Sequence, residues 1–217
     1  MYLPPRFAIT ELDEIVTAVE SIGAADLVTA DPAGRPHATL MPIIWDRRGW
    51  SPDEGNFGVL RMHMARANEH WESITDGFPA LAIVHGPQAY VSPSAYESKR
   101  EHGKVVPTWN YVSVHFEGEI FVSHAVEELR QSVGELTDLH ELRRDQPWRV
   151  SDAPESYIKG QLRGIVGITL RITELSAKAK LSQNRSNEDR LGVADDLRHS
   201  IRPEDSQIAE LIDKSLL

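Results

Sequence analysis

The sequence contains no cysteine, which excludes disulfides, thiolate nucleophiles, cysteine-ligated zinc and iron–sulfur clusters. It also has no stretch that approaches the ~20 apolar residues of a membrane span. The first residues lack the basic start and apolar run that are typical of an export signal. These absences predict a cytoplasmic protein without a membrane segment.

Several motifs that would indicate an enzyme are missing as well. There is no P-loop and no Gly-x-Gly-x-x-Gly turn, so the glycine-rich nucleotide sites have no candidate. The serine elbow Gly-x-Ser-x-Gly is absent, and His140-Glu141 lacks the second histidine of a zinc-protease helix. We therefore predict no metal site and name no catalytic residue.

Basic residues are scarce. The 217-residue chain carries 23 Lys and Arg against 33 Asp and Glu, a formal net charge of -10. Residues 178–217 hold seven bases and eight acids. Because duplex DNA is held mainly by Lys and Arg that neutralise its phosphates, this balance disfavours direct DNA binding.

Alternating apolar and polar residues predict about seven β-strands. In the clearest run, 112–122, Gly118 falls on the apolar face, which indicates a bulge or a closely approaching backbone. Residues 80–85 and 88–92 are predicted as two strands around a Gly86-Pro87 turn, and 165–175 as the last strand. Helical spacing predicts helices over 11–22, 126–143, and about 187–199 and 203–214.

The strands are interrupted by helices without a regular strand–helix alternation. This order favours an α+β fold with an antiparallel barrel over a doubly wound parallel sheet.

Three segments are rich in polar and aromatic residues. They are RMHMARAN (61–68), GPQAYVSPS (86–94) leading to VPTWNY (106–111), and KAKLSQNR (178–185). Together they resemble the FMN-binding PaiB family, which is described as a family of negative transcriptional regulators. The similarity runs through residues 1–190, and the opening Met-Tyr-Leu-Pro-Pro-Arg-Phe also matches the family.

The resemblance implies a split β-barrel related to pyridoxamine-phosphate oxidases, in which a homodimer forms two FMN sites at the subunit interface. Residues 1–177 would form the FMN-binding split-barrel domain. Residues 178–217 would form a basic strand or loop and a helical extension that packs on the dimer. FMN carries a dianionic phosphate, a hydroxyl-rich ribityl chain and a flat apolar ring, so its site needs bases, short polar groups and aromatics.

Ten residues in these segments are candidate FMN ligands. Arg66 is expected on the phosphate because a guanidinium offers two parallel donors, with His63 and Asn68 donating nearby. The alternatives are that Asn68 caps a helix and that Arg66 is a surface base. The remaining candidates are Ser92 and Ser94 for ribityl or phosphate oxygens, Trp109 (with Tyr111) for the ring, Asn110 for its polar edge, and Lys180, Gln183 and Arg185 (with Lys178) for the partner's flavin. The alternatives are core or dimer packing for Trp109 and Tyr111, and a solvated basic stretch for residues 178–185.

Three functions are compatible with these residues. The first is a flavin-linked transcriptional regulator or redox sensor without turnover, and the second is a flavin oxidoreductase that acts on a small molecule. The third is a haem-binding split barrel with His63 or His115 as an axial ligand. Direct DNA binding by the dimer through residues 178–185 is a fourth and ranks last because of the charge balance.

Overall fold

The computed structural model describes residues 1–216, which form six α-helices and a seven-stranded sheet. These residues divide into two compact units. Unit 1 contains residues 1–22, 85–114 and those from 176 onward, and unit 2 contains residues 23–84 and 115–175. The domain boundary at residue 177 stays a prediction.

Helices and strands follow one another along the chain in mixed order. The helices are α1 (Leu12–Ile22), α2 (Ser98–His102), α3 (Val126–Glu141), α4 (Glu155–Arg163), α5 (Asn187–Arg198) and α6 (Asp205–Lys214). The strands are β1 (Ala24–Ala30), β2 (Pro36–Pro42), β3 (Ile44–Asp46), β4 (Val59–Ala65), β5 (Pro79–Val91), β6 (Thr108–Ser123) and β7 (Ile165–Lys180). The antiparallel sheet has the order β2-β1-β5-β6-β7-β4-β3. The central strands β5, β6 and β7 contribute residues to both units.

Strand alternation builds the core of unit 2. In β4, Leu60, Met62 and Met64 are buried, while Arg61 and His63 lie on the other face, because successive side chains of a strand alternate between its two faces. On β6 the fully buried Phe116 meets the edge of Trp45 with ring centroids 5.0 Å apart. Buried aromatic pairs of this kind add to the apolar burial that stabilises the sheet.

Unit 1 has its own core, in which helices cover one face of the sheet. Ala89 and Val91 of β5 and Leu181 just after β7 cluster with the apolar faces of α5 and α6. The buried helical members of this cluster are Val193, Ala194, Leu197, Ile208, Ala209 and Ile212. The opposite face of these strand ends carries polar and aromatic side chains.

Most predicted elements are confirmed, including the number of strands and the two C-terminal helices. The Gly86-Pro87 turn is wrong, because β5 runs without interruption from Pro79 to Val91. Gly86 instead allows a close approach, since a Cβ there would lie 2.7 Å from the Cβ of Val112. The last strand continues past Leu175 to Lys180, and the short helices α2 and α4 lacked a sequence signal.

Among residues 1–216, none of the helices combines the length and apolar character that crossing a bilayer requires. The same described residues contain no group of three or more His, Asp or Glu side chains arranged to hold a metal ion.

Candidate functional site

One face of the sheet in unit 1, opposite the face that α5 and α6 cover, combines bases with aromatic rings. We call it the lysine–aromatic face and define it by Gln88 and Tyr90 of β5, Trp109 and Tyr111 of β6, and Lys178 and Lys180 of β7. In each strand the two residues are separated by one position, which places them on the same side of the sheet. Helices α5 and α6 cover the other side.

The two lysines of this face have only neutral partners. Lys178 is 6% exposed, and its ammonium donates to the Tyr2 carbonyl at 3.0 Å and lies 5.1 Å from the ring centroid of Tyr111. Lys180 donates to the Thr108 hydroxyl and the Trp109 carbonyl. Burial and the neighbouring charge of Lys178 lower the pKa of Lys180. No carboxylate of the described residues forms an ion pair with either lysine.

Trp109 presents an accessible ring at this face. Its side chain is 38% exposed, its Nε1 donates to Gln88 Oε1 at 3.0 Å, and its ring centroid lies 6.3 Å from that of Tyr90. The Gln88 contact fixes the orientation of the indole. A flat, oriented and exposed aromatic surface is what the isoalloxazine ring of a flavin requires.

The loop after β7 is held by a buried polar pair. Asn110 is fully buried and donates its amide to the Ser182 hydroxyl at 2.9 Å. Ser182 has a φ of 62°, the left-handed region that residues other than glycine rarely adopt. Such strain persists where surrounding contacts enforce it and is concentrated at functional sites. Asn110 therefore contacts the loop through Ser182, and its side chain is absent from the lysine–aromatic face.

Four other predicted ligands of unit 1 make local contacts. Gln183 closes its own turn, since its Oε1 accepts from Leu181 N and its Nε2 donates to the Ala179 carbonyl. The Arg185 guanidinium lies 4.4 Å over the Tyr96 ring. Ser92 Oγ accepts from Ser94 N at 3.2 Å, and Ser94 Oγ accepts from Lys99 Nζ at 3.0 Å. Arg185 is thus a further base without a carboxylate partner among the described residues.

In unit 2, the three predicted phosphate ligands have different surroundings. Arg66 donates Nε to the Arg163 carbonyl and Nη2 to the Ile165 carbonyl, both at 3.0 Å. Asn68 caps the 3-10 helix Glu69–Ser73 by accepting from His70 N. His63 keeps a buried Nδ1 without a hydrogen-bond partner, and burial lowers its pKa. Arg66 therefore donates two of its five N–H groups to backbone carbonyls, whereas His63 has one nitrogen unsatisfied.

A histidine pair beside Asn68 was not predicted from the sequence. The buried His70 contacts Thr29 Oγ1 through Nε2 and Thr39 Oγ1 through Nδ1, both at 2.8 Å. His37 stacks on it with ring centroids 5.5 Å apart. A cavity of about 690 Å³ opens here, and its wall includes both histidines, Thr39 and Asn68. The pairing of β1 with β2 places Thr29 opposite His37, whereas the sequence gives no signal for the distant His70.

Replacing His70 with glutamine should weaken the dependence of stability on pH. Burial, and then the charge of His37, lower the pKa of His70 from 6.5, so below about 6.5 the unfolded chain binds the proton more readily than the folded chain. Stability is therefore lost as the pH falls through 6.5 toward the lowered pKa. Urea unfolding at pH about 7.5 and about 5.5 should show a smaller loss in His70→Gln than in the wild type.

Wild type unfolded in the same two buffers is the reference for this measurement. An identical slope in His70→Gln would contradict the assignment of a lowered pKa to His70. His70→Gln should still lose some stability between the two pH values, because burial also lowers the pKa of His63.

Comparison with known proteins adds an independent observation. Residues 1–174 match the family described as "Putative FMN-binding domain". The chain belongs to this family. The FMN-binding family match confirms the predicted cofactor, FMN, and the predicted relationship to PaiB-type proteins. In unit 1, the two lysines without carboxylate partners and the exposed indole of Trp109 are donors and surfaces that fit FMN.

Relatives of this FMN-binding family member include a full-length match. The chain is 31% identical over 216 residues to "Protease synthase and sporulation protein PAI 2" of Bacillus subtilis, covering 100% of this chain and 98% of the relative.

Solved structures share the fold at low identity. The FAD and heme binding protein of Mycobacterium smegmatis has a TM-score of 0.58 at 18% identity, covering 83% of this chain and 77% of that one. The conserved hypothetical protein Rv2991 of Mycobacterium tuberculosis has a TM-score of 0.58 at 13% identity, covering 86% of this chain and 95% of that one. With the antiparallel sheet, these likenesses confirm the predicted α+β split-barrel class.

Proposed function

We propose that this protein is an FMN-linked redox sensor that acts in transcriptional regulation and has no substrate turnover of its own. The observation that carries the proposal is the composition of the lysine–aromatic face, which offers cations and rings for a flavin but no carboxylate or histidine. The bound flavin would supply electron transfer. The regulatory part of the proposal comes from the resemblance to the PaiB family, with which the similarity to "Protease synthase and sporulation protein PAI 2" agrees.

Each residue of the lysine–aromatic face would have a separate role in binding the flavin. Lys178 and Lys180 attract an anion, Trp109 provides a stacking surface held in place by Gln88, and the Asn110–Ser182 pair fixes the loop that follows Lys180. These residues bind the cofactor and do not need to act on a substrate. Reduction changes the charge and shape of the flavin, and this change would alter the contacts that the lysine–aromatic face makes with it.

We further propose a cytoplasmic homodimer with flavin at the subunit interface, acting on transcription without a DNA surface of its own. The exposed rings of Tyr90 and Trp109 suit burial against a second copy, and the net charge of -10 opposes a duplex. Light scattering after gel filtration should give twice the 24.3 kDa chain mass. A monomer at all concentrations, or a salt-sensitive gel shift with DNA, would contradict this assembly.

Replacing Trp109 with leucine should weaken FMN binding by about 10-fold or more, because one stacked aromatic contributes ~1–3 kcal/mol. Purified wild type should be yellow or should quench FMN fluorescence on titration at micromolar concentration. Trp148→Leu is the matched control, since Trp148 is 45% exposed and belongs to unit 2. Wild type that binds no FMN would refute the function, and equal affinities in both variants would remove Trp109 from the site.

An oxidoreductase is the second candidate, because the lowered pKa of Lys180 suits proton transfer at a flavin. Stopped-flow mixing of the FMN-loaded protein with NADH or NADPH without oxygen separates the two functions. Flavin bleaching no faster than that of free FMN supports the sensor. Bleaching many times faster than free FMN would identify an enzyme.

Haem binding is the third candidate, and the unsatisfied Nδ1 of the half-buried His63 favours it. The structural neighbour from Mycobacterium smegmatis is named as a heme-binding protein. Adding hemin should give no Soret shift if the protein is a flavin sensor alone. A shift that disappears in His63→Ala, or only when His115→Ala is added, would identify the ligand and support haem binding.

A further inference from the structure

Lys178 and Lys180 form a pair of positive charges that the chain itself does not neutralise. They are two residues apart at the end of β7 and point to one face, and Lys178 is 6% exposed. A buried ammonium without a counter-ion loses much of its hydration free energy, and a second ammonium close by adds repulsion. Folding two such groups together is unfavourable unless an anion completes the site.

The groups that contact the two ammoniums confirm that no anion is built in. They are the Tyr2 and Trp109 carbonyls, the Thr108 hydroxyl, and the ring faces of Tyr2 and Tyr111. These partners hold the two ammoniums in place and leave some of their six N–H groups available.

Three other bases of the described chain differ from the lysine pair in burial or in partners. Arg61, in unit 2, is flanked by the carboxylates of Glu135 and Asp46. The buried Arg190 donates Nη2 to the Ser215 hydroxyl, while its Nε has no hydrogen-bond partner. Arg66, the residue that the sequence favours for a phosphate, is exposed and donates to two backbone carbonyls. The lysine pair differs from all three because it places two cations without carboxylate partners on one face, which suits a dianion.

We propose that Lys178 and Lys180 form the phosphate subsite for FMN, beside the indole of Trp109. This inference rests on the proposed FMN binding and deepens it, since it names the charges that distinguish FMN from riboflavin. The phosphate dianion balances the two ammoniums and accepts their remaining N–H groups in charge-assisted hydrogen bonds. Flavins without a phosphate should then bind through the ring alone.

The test compares FMN with riboflavin in the full-length protein. Lys178→Met keeps most of the buried aliphatic stem, and Lys180→Gln keeps a hydrogen-bond donor without the charge. Each should weaken FMN about 10- to 100-fold and change riboflavin affinity less than about twofold. Lys180→Arg should retain the preference for FMN. Lys104→Gln, an exposed lysine of the same unit, should behave as wild type.

The outcomes separate this inference from the function on which it rests. Wild type that binds neither flavin refutes the proposed function. Wild type that binds both equally, or lysine variants that lose both equally with unchanged melting temperature, overturns the phosphate assignment while FMN binding stands. A fall in the FMN-to-riboflavin ratio in Arg66→Gln, with none in Lys180→Gln, would also overturn it and return the phosphate to Arg66.

Discussion

Replacing Gly118 with alanine is expected to destabilise the protein by about 4 kcal/mol or more, at the upper end of single substitutions. A Cβ at this position would overlap the carbonyl oxygen of Arg171 on β7, and would lie 3.0 Å from the Cα of Ile172. These are backbone atoms of the neighbouring strand, so no side-chain rotation relieves the contact. The free energy of unfolding of a single domain is only about 5–15 kcal/mol, so the substitution should remove a large fraction of it.

Urea denaturation of purified Gly118→Ala measures this loss. Gly134→Ala in α3 is the control, because a Cβ there has no neighbour within 4 Å and alanine is favoured in a helix by about 0.5–1 kcal/mol. We expect opposite signs for the two variants. A midpoint for Gly118→Ala near that of wild type would mean that β6 and β7 do not approach as closely as the structure shows.

The importance of Gly118 could be predicted from the sequence, whereas the continuity of β5 could not. A glycine on the apolar face of a long alternating strand indicates either a bulge or a closely approaching neighbouring backbone, and the structure shows the second. The Gly86-Pro87 pair has the composition of a turn. Its glycine serves the approach of Val112 instead, which depends on a strand more than twenty residues away.

The candidate site could be predicted only in part from the sequence, because some of its contacts join residues that are far apart along the chain. The segments containing Trp109 and Lys180 stand out by composition. The strand that contains the lysines was predicted to end at Leu175. Its continuation alternates only the small Ala177 and Ala179 with Lys178 and Lys180, which is a weaker apolar signal than the Val, Ile and Leu residues of 166–172. The carbonyl partners of Arg66 lie 97 and 99 residues away, so only the fold shows that two of its N–H groups donate to the chain itself.

Loss of the buried amide of Asn110 should reduce both stability and flavin affinity. Asn110→Ala leaves the Ser182 hydroxyl buried without its partner, which costs about 1–3 kcal/mol. The loop that follows Lys180 then loses its anchor, so we expect FMN affinity to fall about 10-fold. Urea unfolding and FMN titration of the same preparation measure the two effects, and Asn187→Ala at the exposed start of α5 serves as the control.

The left-handed φ of Ser182 allows a second test, which separates backbone strain from the side-chain hydrogen bond. Glycine adopts a φ of 62° freely, whereas alanine has the same backbone strain as serine. Both Ser182→Gly and Ser182→Ala lose the hydrogen bond to Asn110, so their difference isolates the backbone. We expect Ser182→Gly to be more stable than Ser182→Ala by about 1 kcal/mol. The opposite order would show that the backbone at Ser182 is unstrained and that the side-chain contact alone fixes the loop.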